Sequence, residues 1–110
     1  MSVQTITDSA FEAEVLRSAG PVLVEFGANW CPPCRQIEPV LERIGEERAG
    51  VLRVVSMNVD EQPATSAAYG VTGLPTLIMF RDGVPVLQLV GARPRSVLEA
   101  EVDRALLRER

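Results

Sequence analysis

Cys31 and Cys34 are the only thiols in the chain. They stand in NWCPPCRQ, beside the only tryptophan, Trp30, and on either side of a double proline. Two sulfurs at this spacing can close a small ring or hold part of a metal site. A thiolate metal site usually wants four ligands of Cys or His type, and the chain offers two cysteines and no histidine, so a metal would need a second copy or carboxylates. Inert core cysteines would not call for two prolines between them. The remaining chemistry is dithiol–disulfide exchange, in which a thiolate attacks a disulfide sulfur. The missing histidine also excludes a Cys–His nucleophilic pair.

The elements on either side decide where those sulfurs sit. Val22-Leu23-Val24-Glu25-Phe26 is a continuous apolar run, broken only by Glu25, and reads as a strand covered on both faces. Ile37, Val40, Leu41 and Ile44 recur at helical spacing, with Gly50 as a stop signal and Pro39 expected to kink the helix without ending it. Cys31 thus falls at a helix N-terminus, where unpaired N–H groups and the helix dipole favour an anion such as a thiolate. Cys34 lies one turn along and is expected to face inward, which makes Cys31 an exposed attacker and Cys34 a sheltered resolver. Pro32 and Pro33 lack N–H groups that the first turn does not use, and the helix is expected to begin near Pro33. They stiffen the loop that holds the sulfurs together, while Pro32 removes one N–H that could have solvated the Cys31 thiolate.

The rest of the chain supplies the sheet. A helix is predicted over 8–18, capped by Thr7, Asp8 or Ser9, with Ser9 and Glu12 fitting a capping box. Val51 to Asp60 reads as a buried strand and Pro63 to Tyr69 as a short helix at best. Thr76 to Phe80 and Val84 to Val90 flank Arg81-Asp82-Gly83, a hairpin signal, and Pro85 suits an edge strand. Ser96 to Arg108 makes a final helix. The order is strand, helix, strand, helix, strand, short helix, hairpin, helix. It implies an α/β fold with a central mixed sheet, parallel at helical crossovers and antiparallel at the hairpin, flanked by helices on both faces. At 110 residues it suits one domain spanning 1–110.

Composition narrows the partners. All 11 basic residues are arginine, scattered among 15 acids for a net charge of −4, so no basic stripe for nucleic acid or anionic membrane forms. No apolar run approaches the roughly 20 residues that span a bilayer. The start, MSVQTITDSA, lacks a basic cluster followed by an apolar run, so the expected compartment is a reducing cytoplasm.

The segments VLVEFGANWCPPCRQIEPVLERI and VVSMNVDEQPATSAAYGVTGLPTLIMFRDGVPVLQLVGA together resemble the thioredoxin family, in a cytoplasmic type with a CPPC variant of the active site. The resemblance covers nearly the whole chain, and WC-x-P-C after a strand with GLPT some forty residues later is a specific combination. It implies the thioredoxin fold, with Cys31 attacking a target disulfide and Cys34 resolving the mixed disulfide. It also implies that Pro75 is the cis-proline opposite the cysteines. Leu74 would offer main-chain bonds to an extended substrate, and Trp30, Pro32, Gly73, Leu74, Gly91 and Ala92 would line an apolar contact surface.

The activity implied is that of a protein-disulfide reductase needing no bound cofactor, since the disulfide carries the electrons. It would act as a monomer on disulfide-containing proteins and be recharged by an NADPH-dependent thioredoxin reductase. Two alternatives are a disulfide oxidant or isomerase, and a binding module whose thiols stay idle.

Four positions depart from the family's pattern. Glu25 stands where an aspartate usually relays a proton for the inner cysteine. With no lysine or histidine available to pair with it, burial should raise its pKa and suit it as a base for Cys34. Ser56 stands where a lysine is common. Gly27 replaces a large aromatic, a loss expected to loosen packing beside the active-site loop and widen the partner surface. Pro32 itself stands where glycine is usual.

Overall fold

Strand β2 (Val22–Gly27) is the middle of the sheet, and its burial is total: all six residues are out of solvent. The computed structural model describes residues 3–108. Around β2 the strands β1 (Gln4–Thr5), β3 (Arg53–Asn58), β4 (Thr76–Arg81) and β5 (Val84–Val90) form one five-stranded sheet in the order β1-β3-β2-β4-β5. β3 runs parallel to β1 and β2, while β4 is antiparallel to β2 and β5. The sheet is therefore mixed, as its hairpin and crossovers required. Asp82 and Gly83 both take positive φ, 53° and 82°, the geometry of a type I′ hairpin turn. Pro85 sits on the edge strand, opposite Phe80, beside a register shift at Met79/Phe80.

Period-two alternation sorts β2 between two cores. Val22, Val24 and Phe26 point to the face covered by α1 (Asp8–Phe11) and the chain around α3 (Pro63–Ala68). There they join Ile78, Phe80 and Met57, and Phe11, Tyr69 and Phe80 pack ring against ring at 5.1–5.8 Å between centroids. Leu23 points to the opposite face, covered by α2 (Pro32–Glu47) and α4 (Arg95–Leu107). Ile37, Leu41, Ile44, Leu98 and Val102 close over Leu23, Leu77 and Met79. Each such side chain, once buried, contributes about 1.5–3 kcal/mol. Glu25 and Gly27 share the α2 face with Leu23. That places a carboxylate and a side-chain-free position under the helix that carries the cysteines.

Several boundaries differ from those read in the sequence. α1 covers only four residues before widening into a π-helical turn, Glu12–Leu16, closed by Arg17 N–H donating to Glu12 O at 2.9 Å. Thr7 is the N-cap, its Oγ1 accepting from Ala10 N–H at 3.2 Å, so Ser9 lies inside the helix and forms no capping box. Asp8 has a different task. Its carboxylate accepts from Ala64 and Thr65 N–H at 3.0 and 2.9 Å and caps α3 from outside, while Gln62 Oε1 accepts from Asp8 N–H in return. β3 is shorter than the predicted 51–60, because residues 48–51 still turn off the end of α2. α2 begins at Pro32, one residue before expectation, and runs through Pro39 without ending. Among the described residues, no helix is long and apolar enough to cross a membrane.

Candidate active site

Cys31 and Cys34 are joined in a disulfide, with Cα atoms 5.3 Å apart. Cys31 is the N-cap of α2, in extended geometry (φ −96°, ψ 103°), and its Sγ accepts a hydrogen bond from Cys34 N–H at 3.3 Å. An N-cap side chain takes its donor from the second or third helical residue. Here those are Pro33, which has none, and Cys34, which supplies the bond. Pro32 occupies the first position, whose N–H does not serve the cap. The expected loss of a thiolate donor therefore belongs to Pro33 rather than Pro32.

The expectation of an exposed attacker is corrected. Cys31 is only 3 % exposed and Cys34 2 %, because Ala28, Val59 and Leu74 pack around the pair. The sulfurs differ instead in what they face. Cys31 forms part of the wall of a groove of about 570 Å³, lined also by Trp30, Pro32, Val59, Val71 and Leu74 and, among the described residues, by no charged one. Trp30 is 64 % exposed and is held in place by its Nε1–H, which donates to Asp60 Oδ2 at 2.7 Å. Cys34 opens to the other side, into a polar cavity of about 260 Å³ with Glu25, Gly27, Ser56, Asn58, Glu38 and Glu61 around it.

Of the residues assigned to a contact surface by resemblance, Trp30, Pro32 and Leu74 meet Cys31 at the groove. Gly73, Gly91 and Ala92 do not line it. Gly91 N–H instead donates to Pro75 O at 2.7 Å, tying the end of β5 to the buried Pro75, whose bond to Leu74 is cis. Val59, Val71 and Thr72 line the groove and were missed by sequence reasoning. Their only signal was proximity to GLPT and to the end of a strand. Glu38 was missed too, though its spacing was readable: it lies four residues after Cys34, hence on the same face of α2.

Glu25 is 4 % exposed, and among the described residues no cation lines the cavity it faces. Its pKa is raised to about 7, first by burial and then by the like charge of Glu38. Ser56 lies opposite Glu25 in the β2–β3 register, but its hydroxyl pairs with Thr5 Oγ1 at 3.3 Å. Gly27 does not line the groove and lines the polar cavity instead. It is buried on the acid side, where a Cβ built on it would overlap Glu25 Oε2 and come within 3.2 Å of Cys34 Sγ. The longer acid occupies the room that the missing side chain leaves.

A model of the Thioredoxin family matches residues 2–104. The chain is 49 % identical over 96 residues to thioredoxin from Streptomyces clavuligerus, covering 87 % of this chain and 89 % of that one. It is 44 % identical over 105 residues to thioredoxin from Alicyclobacillus acidocaldarius, covering 96 % and 99 %. With thioredoxin from Porphyra purpurea it shares 42 % over 104 residues, covering 94 % and 97 %. With this match over nearly its whole length and a bonded cysteine pair at the mouth of α2, the chain belongs to the thioredoxin family and is a dithiol–disulfide oxidoreductase.

Proposed function

We propose that the protein reduces disulfides in target proteins with Cys31 as the nucleophile, Cys34 as the resolving thiol and Glu25 as its base. The division of surroundings between the two sulfurs carries this reading. Cys31 faces an uncharged groove that suits an extended apolar segment beside a target disulfide, and its helix-capping position favours the thiolate. Cys34 faces a cavity in which a carboxylate titrates near neutrality.

In the first step Cys31 S⁻ attacks one target sulfur, the target S–S bond breaks, and a mixed disulfide forms. Cys34 S–H then passes its proton to the Glu25 carboxylate, and its sulfur attacks Cys31 Sγ. The Cys31–Cys34 bond forms, the second target thiolate leaves and is protonated, and two electrons have moved from protein to target. A base with a pKa near the working pH is best placed for this transfer. Trp30, Pro32 and Leu74 bind the substrate, and Pro75 holds the loop that presents Leu74. The oxidised pair is recharged by a thioredoxin reductase drawing on NADPH, and the protein works as one domain and as a monomer in the cytoplasm. Insulin reduction by dithiothreitol, followed by turbidity, tests this reading. Wild type should accelerate precipitation and Cys31→Ser should not, whereas comparable turbidity from both would remove the catalytic reading.

A further inference from the structure

Two departures on β2 occupy the same point in space. Residues 25 and 27 alternate onto one face, under α2, so a side chain at 27 would neighbour that of Glu25. The position a Cβ would take on Gly27 lies 2.3 Å from Glu25 Oε2 and 3.2 Å from Cys34 Sγ. The acid and the resolving sulfur therefore both border the one point that a methyl at residue 27 would fill. Gly27 has no positive φ that would require glycine, so backbone geometry does not explain the residue. Space does. The groups facing Glu25 are Cys34, Glu38 and Glu42 from α2 and Glu61 from the loop after β3, with no arginine among the residues lining its two cavities.

We propose that Gly27 is a positioning residue for the resolving half-reaction: by carrying no side chain, it leaves the Glu25 carboxyl its place in the cavity that Cys34 Sγ also lines. The inference rests on the proposed role of Glu25 as the base. A methyl at residue 27 overlaps the carboxyl where it now lies and pushes the longer acid aside. A shorter acid at 25 leaves the room that methyl needs.

The test is a double-mutant cycle read by stopped flow with 5,5′-dithiobis(2-nitrobenzoate), from pH 5 to 9. The first phase releases one thionitrobenzoate as Cys31 attacks. The second releases another as Cys34 closes the protein disulfide, independent of reagent concentration. Displacing a catalytic group by about 1 Å can slow its step a hundredfold. Gly27→Ala should slow the second phase roughly ten- to hundredfold at pH 7 and flatten its pH dependence, with the first phase unchanged. Glu25→Asp combined with Gly27→Ala should recover most of the lost rate and the pH dependence. A second phase that Gly27→Ala leaves untouched overturns the inference, and so does a double variant no faster than Gly27→Ala. If Gly27→Ala does not fold, the double variant should fold, and failure of both counts against the overlap. Glu25→Gln separates the two levels. Slowed by that change but not by Gly27→Ala, the second phase refutes only the role of Gly27; unaffected by Glu25→Gln, it refutes the base itself.

Discussion

Replacing Glu25 by glutamine should change how the oxidised protein's stability responds to pH, and the direction follows from burial. A glutamate with an ordinary pKa of 4.5 titrates at about 7 in the fold. The native state therefore binds this proton more tightly than the unfolded chain does. Glu25's favourable contribution is complete below pH 4.5 and is lost as pH rises through about 7. At 1.36 kcal/mol per unit, the loss is about 3 kcal/mol, and at 4 % exposure solvent screening takes little from it. Glutamine is nearly isosteric with the protonated acid and does not ionise. Denaturant titrations of both disulfide forms should coincide near pH 4 and diverge until Glu25→Gln is about 3 kcal/mol more stable at pH 8, or about 12 °C higher in Tm. The oxidised form keeps thiol ionisation out of the comparison. Parallel stability profiles from pH 4 to 8 would refute the argument, because Glu25 would then ionise in the fold as readily as in water.

Glu38→Gln should lower the Glu25 titration midpoint, read from its carboxyl carbon by NMR. A like charge lining the same cavity gives a few tenths of a pH unit even in near-aqueous dielectric. An unmoved midpoint would leave burial as the sole cause. Asp8→Ala should remove the external cap of α3 and cost about 1 kcal/mol at pH 7. Burial opposes ionisation of Asp8, but the hydrogen bonds from Thr65 and Ala64 outweigh it and hold its pKa low. The difference between Asp8→Ala and wild type should therefore fade as pH drops through the carboxylate range, and a gap that persists in acid would show that the cap's charge is irrelevant.

The strands and crossovers were legible because each carried its own local signal. β2 is an apolar run broken only by Glu25 and β4–β5 are joined by Asp-Gly, and both appear where those signals put them. The cysteine pair was legible because its spacing and prolines have few other uses. What sequence did not reveal depends on atoms distant along the chain. The cap of α3 comes from Asp8, more than fifty residues earlier, and no local signal at α3 announced it. The groove residues Val59 and Val71 read as ordinary apolar positions until the fold brings them to Cys31. Glu25 and Gly27 each stood out as odd, but their oddities are one fact, visible only once alternation on β2 sets both under α2.

The division of labour between the sulfurs is tested most directly by trapping. Reduced Cys34→Ser and Cys31→Ser proteins, each mixed with insulin, would be separated on non-reducing gels, with adducts located by mass spectrometry. Cys34→Ser should accumulate a covalent adduct through Cys31 that dithiothreitol dissolves, and Cys31→Ser should form almost none. Equal adducts from both, or an adduct through Cys34 alone, would contradict the assignment.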